Sequence, residues 1–101
     1  MEFLILAYDG TDEDAARRRL DARPAHLERM AKFTAEGRIL YGTAILDDKD
    51  RMIGSMLVCN FGSRTELQSW LEADPYFTGK AWVDIEVHRC RPGPGFSKPA
   101  R

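Results

Sequence analysis

The segment Phe3-Leu4-Ile5-Leu6-Ala7-Tyr8 is apolar on both of its alternating sets and stops at Asp9-Gly10, the pattern of a strand ended by a turn. Side chains of a strand point alternately to opposite faces, so Phe3, Ile5 and Ala7 line one side and Leu4, Leu6 and Tyr8 the other. A strand of this kind needs cover on both faces, which places it inside a sheet. The chain has 101 residues, enough for one modest core, so the cover must come from the few elements that follow.

Thr11 or Asp12 offers a helix N-cap, with Asp14 in the first turn. Pro24 then interrupts the helical pattern, because proline suits a first turn but removes a hydrogen bond from a helix interior. Two pieces are expected: a short helix near 12–20 and a main helix from about 24 to 36, ended by Gly37, with one kinked helix as the alternative. The helical repeat sets Leu27, Met30, Phe33 and Thr34 on an inward arc, with His26 toward its edge and Arg23 on the same side. Glu28, Arg29, Lys32 and Glu36 fall on the opposite arc.

Residues 39–46 and 52–61 read as strands, and the polar turn Asp47-Asp48-Lys49-Asp50-Arg51 makes them a hairpin. Ser63-Arg64-Thr65-Glu66 fits a capping box opening a second helix, which runs to about Ala73 with Leu67, Trp70 and Leu71 inward. Pro75 discourages its continuation, and residues 76–80 read as an irregular link. Trp82 to Arg89 is the last strand, with Val83, Ile85 and Val87 on one face and Asp84, Glu86 and His88 on the other. No repeat or second domain is visible, so residues 1–91 read as one domain. Residues 92–101 are too rich in proline and glycine for regular structure and form either a mobile end or an arm on a partner.

The order β-α-β-β-α-β is the ferredoxin-like pattern of an α+β fold: a four-stranded antiparallel sheet with both helices on one face and the first and third strands central. Helices on one face leave the other uncovered, and a homodimer through the sheet face is the economical cover. A cleft between sheet and helices is then the natural place for a small-molecule ligand.

Fifteen basic against sixteen acidic residues give a formal charge of −1, which supplies no general pull toward nucleic acid or anionic membrane. The one basic run, Arg17-Arg18-Arg19, is flanked by Asp12, Glu13, Asp14 and Asp21 and reads as a solvated helix face. No apolar run approaches the ~20 residues that span a bilayer. Cys59 and Cys90 lie in expected strands, where cysteine behaves as a small buried hydrophobe. With no CxxC, no Cys/His cluster and no secretory or transit pattern, a cytoplasmic chain with reduced thiols and no zinc is expected.

No serine or cysteine sits in a nucleophile motif, and neither a glycine-rich phosphate loop nor a metal-ligand spacing is present. For a catalytic chain the chemistry left is cofactor-free proton transfer, and His26 is the candidate for it, since imidazole titrates near neutrality. By itself a histidine on a buried arc is more often a core residue, and Asp74 before Pro75 is as often a turn initiator as a functional acid.

Together, Arg19-Leu20, Arg23-Pro24-Ala25-His26-Leu27, the glycines Gly37 and Gly42, and Asp74-Pro75-Tyr76 resemble the signature of the YciI-like (YCII-related) family of small bacterial proteins. The resemblance runs over roughly residues 2–90 and leaves the tail outside. It implies a ferredoxin-like fold, dimeric α+β barrels, and an active site on a His–Asp pair. Here that pair would be His26 and Asp74, with Arg23 alongside to hold an anionic group. Tyr8, Gly42 and Tyr76 are the further candidates for the walls of the cleft. The expected activity is general acid/base chemistry, isomerisation or elimination, on a small polar or aromatic metabolite. A non-catalytic ligand-binding or regulatory dimer is the alternative. Some relatives within this fold family carry out dehalogenating elimination on hydroxylated aromatics.

Overall fold

A computed structural model describes residues 1–96. The chain runs β1 (Glu2–Asp9), α1 (Ala15–Ala35), β2 (Ile39–Leu46), β3 (Met52–Asn60), α2 (Arg64–Glu72), α3 (Pro75–Thr78) and β4 (Trp82–Cys90). The strands form one antiparallel sheet in the order β2-β3-β1-β4, so β1 and β3 are central, the ferredoxin-like arrangement expected from the element order. Phe3, Ile5 and Ala7 of β1 stand beside Cys59, Leu57 and Ser55 of β3 and face the helices, where Leu67, Trp70, Leu71 and Tyr76 close the core. The other set, Leu4, Leu6, Met56 and Val58, stays half-buried on the side away from the helices. Among the described residues no helix is long and apolar enough to cross a membrane.

The helical region departs from expectation. Residues 15–35 form one uninterrupted helix with Pro24 inside it, where a break was expected. Proline in a helix interior costs about 3 kcal/mol, whereas full burial of one large apolar side chain is worth roughly 1.5–3 kcal/mol. Ala15, Arg19, Ala22, His26, Met30 and Phe33 follow 3- and 4-residue steps along one stripe that crosses Pro24, so packing on both sides holds the helix through it. Pro24 and Leu20 are exposed, so water can reach the Leu20 carbonyl that has lost its donor.

This stripe is also rotated from the expected one. Leu27, expected inward, is 47% exposed, and Thr34 is exposed as well. Arg19 takes an inward place instead, beside His26, which is inward as expected, so the triple-arginine run is a solvated face only in part. At the helix start neither Thr11 nor Asp12 caps: the N-cap is Asp14, without a side-chain bond, because Arg18 engages the Asp12 carboxylate at 2.7 Å through both terminal nitrogens.

Ser63 Oγ accepts from Glu66 N at 3.1 Å as the capping box requires, but Glu66 Oε1 reaches back to Gly62 N rather than to Ser63. Residues expected as an irregular link contain the short helix α3, begun by Pro75 at a position that demands no N–H. In β4 the register slips between Tyr8 and Asp9, so Trp82 is buried opposite Asp9 while Val83, expected on the core face, is 59% exposed. Cys59 is a buried free thiol pushed up to about 12 by desolvation, and Cys90 is half-buried. Residues 92–96 hold a turn but no helix or strand, and the rest of the expected tail lies outside the described residues.

Candidate active site

The middle of α1 delivers His26 to the sheet side at 6% exposure. From 48 positions further along the chain comes Asp74, which has no exposed surface at all. Asp74 is the N-cap of α3, and its Oδ2 accepts from Tyr76 N at 3.0 Å. The same oxygen stands 2.7 Å from His26 Nδ1. Its other oxygen, Oδ1, accepts from Arg29 Nη1 at 2.9 Å. Turn formation and contact with the histidine are therefore carried by one carboxylate. A carboxylate can only accept, so the neutral ring carries its hydrogen on Nδ1 and its lone pair on Nε2. Nε2 has no hydrogen-bond partner among the described residues and is not sealed from solvent.

Aromatic rings fix the imidazole. Tyr76 stacks on it with centroids 3.8 Å apart and planes 11° from parallel, and Trp82 meets it edge-on at 5.7 Å. Behind these rings lies a second buried ion pair. Arg19, 3% exposed, donates from Nη1 to Asp9 Oδ1 at 2.8 Å and to Oδ2 at 2.9 Å. Its Nη2 donates to Ser55 Oγ at 3.0 Å, and its guanidinium carbon sits 4.7 Å from the Tyr76 ring centre. Burial pushes the Asp9 carboxyl above its ordinary range despite the opposing pull of Arg19. The two pairs are linked through the Tyr76 ring.

A cavity of about 330 Å³ opens between α1, β2 and β3, lined by His26, Tyr76, Arg19, Arg23, Ser55 and Thr43, with Leu27, Met30, Ile39 and Leu57 as apolar wall. That volume is at the small end of ligand pockets. Gly42 lines it too; a Cβ there would come within 2.9 Å of Leu57 Cδ2, so the bare backbone keeps this wall open. The register irregularities of β2 fall on either side of it, between Ile39 and Tyr41 and between Ile45 and Leu46.

The structure thus brings His26, Asp74 and Tyr76 together, with Arg23 and Gly42 on the same cavity. Arg23 does not touch Asp74; its Nη1 rests 3.0 Å from Met52 Sδ, a weak acceptor. Tyr8 corrects the expectation: alternation along β1 turns it to the face away from the helices, and it is not part of this cavity. Arg29, expected on the solvent arc, is the cation on Asp74, and its Nη2 also donates to the Trp70 carbonyl at 2.8 Å. A long guanidinium side chain wraps inward from the flank of a helix, which position on the helical wheel does not reveal. Arg19, Asp9, Ser55 and Trp82 were missed as well. Arg19 had a usable signal: it precedes His26 by two helical turns and so shares its face.

The family comparison covers the same ground as this architecture. Residues 1–91 match the YCII-related domain. Protein YciI of Escherichia coli is 32% identical over 93 residues, which cover 86% of this chain and 93% of that protein. Protein YciI of Shigella flexneri matches to the same extent. Among solved structures, 5-chloro-2-hydroxyhydroquinone dehydrochlorinase (TftG) from Burkholderia phenoliruptrix, in complex with 2,5-dihydroxybenzoquinone, is similar at TM-score 0.78 and 31% identity, over 92% of this chain and 96% of that one. With sequence and fold both matched from β1 through β4, the chain belongs to the YCII-related domain family.

Proposed function

We propose that this protein is a small enzyme that moves a proton on a small polar or aromatic metabolite, with His26 as general base and acid. The observation that carries the reading is the 2.7 Å contact of His26 Nδ1 with the fully buried Asp74, on a ring that lines a cavity of ligand size. In this scheme Nε2 takes a proton from a carbon or hydroxyl activated by a neighbouring carbonyl. The imidazolium is stabilised by Asp74, and the electron pair left behind either stays as an enolate or expels a leaving group from the adjacent carbon. The imidazolium then returns its proton to the product or to the departing group, so no redox partner is required. General acid/base assistance of this kind is worth about 10²–10⁴ in rate. Arg23, with no carboxylate partner among the described residues, is the anchor for an anionic substituent. Similarity to a dehydrochlorinase bound to a dihydroxyquinone supports elimination on a hydroxylated ring.

A panel of hydroxylated and halogenated aromatics and small lactones, run with wild type and His26→Ala, tests this. Turnover by wild type and its loss in a folded variant is the expected result. A ligand bound tightly and released unchanged would make the protein a binding or regulatory module instead.

The assembly belongs to the same proposal: a cytoplasmic homodimer closed through the sheet face. Leu4, Leu6, Met56 and Val58, with exposed Tyr41 beside them, form a contiguous apolar surface on that face. Light scattering on the eluting protein is expected to give twice the chain mass, and Leu6→Glu to give the monomer. A wild-type monomer at tens of micromolar would rule this interface out.

A further inference from the structure

Ser55 lies on the central strand β3, 5% exposed, and lines the cavity that holds His26. Its oxygen is approached by two groups that can only donate: Arg19 Nη2 at 3.0 Å and Trp82 Nε1 at 3.0 Å. A hydroxyl has two lone pairs and one hydrogen, and both lone pairs are taken. The hydrogen must therefore point elsewhere, and among the described residues no protein acceptor receives it. The two donors are themselves fixed, Arg19 by Asp9 and Trp82 by its buried place against His26 and Tyr76. The cationic neighbour also polarises the O–H bond, which makes it a better donor.

We propose that Ser55 is the hydrogen-bond donor that receives a carbonyl or enolate oxygen of the ligand in the His26 cavity. The inference rests on the proposed acid/base reading and sharpens it. A proton is taken from the position next to a carbonyl, and Ser55 holds the oxygen on which negative charge then gathers. Such a donor acts where charge develops, and its hydrogen is aimed before the ligand arrives. The ligand class this selects is a small ring or chain bearing an sp² oxygen, with Arg23 available to a second anionic substituent.

The test is a crystal structure of the wild-type protein soaked with 2,5-dihydroxybenzoquinone, together with titration calorimetry of the same probe. A probe oxygen at roughly 2.6–3.0 Å from Ser55 Oγ is expected, or a cavity water at that place where the probe does not bind. Absence of probe with a water at Ser55 would remove support for quinone-like ligands of the dyad and leave the serine's role standing. A third neighbour of Ser55 Oγ that is a protein carbonyl, or no acceptor at all, would overturn the proposal. In solution Ser55→Ala is expected to weaken the probe about 10-fold, with Ser55→Thr restoring most of it. Equal affinity of a folded Ser55→Ala for the probe would also overturn it.

Discussion

Asp74→Asn is expected to lower turnover by about 10²–10⁴-fold and to leave a folded protein holding the wrong histidine tautomer. The carboxylate of Asp74 accepts three hydrogen bonds, from His26 Nδ1, Tyr76 N and Arg29 Nη1. An amide of the same shape has one accepting oxygen and one donating nitrogen. With the nitrogen turned toward His26, the ring must accept at Nδ1 and carry its hydrogen on Nε2, so the atom facing the cavity is no longer a base. That orientation also sets the amide N–H groups against Tyr76 N, while the opposite one sets them against Arg29. Either way a buried donor is left unpaired, at a cost of about 1–3 kcal/mol. Nitrogen NMR of His26 reads the tautomer directly and needs no substrate. An amide with its oxygen toward His26 would keep the Nδ1–H form and lose only Arg29, so the result that contradicts the role of Asp74 is the Nδ1–H form together with wild-type turnover.

Arg19→Met is expected to destabilise the fold by about 3–5 kcal/mol, the range for removing one partner of a buried ion pair. For a domain of this size that lowers the Tm by more than about 10 °C. The loss strands Asp9, whose only side-chain partner among the described residues is Arg19, and also frees a lone pair of Ser55. Burial already raises the Asp9 carboxyl in the native state, and Arg19 is the main opposing influence. Its removal raises that carboxyl further. The folded form then binds the proton more tightly than the unfolded chain. The contribution of Asp9 to stability is thus fully present below the unfolded value and is lost as pH rises through the folded one. Arg19→Met should accordingly be more stable relative to wild type near pH 4–5 than at pH 7, and Asp9→Asn added to it should recover much of the loss. Denaturant unfolding at the two pH values measures this; an equal deficit at both would contradict the buried-pair account.

Much of the frame was legible in residue order alone. Two apolar faces on Phe3–Tyr8 required an internal strand, and β1 is internal. Turn and cap residues bounded β2, β3 and α2 closely. The errors cluster where the site is. Pattern reading assigns polar side chains to water, so Arg19 was placed outside and Leu27 inside, and the reverse holds. Pro24 was read by its local penalty, which a stripe of contacts on both sides of it overrides. Val83 was read by alternation, which one bulge shifted.

By itself, then, the sequence determined the element order, the central strands and the unusual histidine, because periodicity and turn chemistry are local properties of the chain. Tertiary structure decided the partners. Asp74 lies 48 positions from His26 and 45 from Arg29, and Ser55 lies 36 from Arg19. Which of several acids and cations meet across such separations depends on helix rotation, strand register and side-chain reach. Those are settled only when the whole core packs, and they set His26 against Asp74 with its ring hydrogen on Nδ1 rather than leaving a lone buried ring.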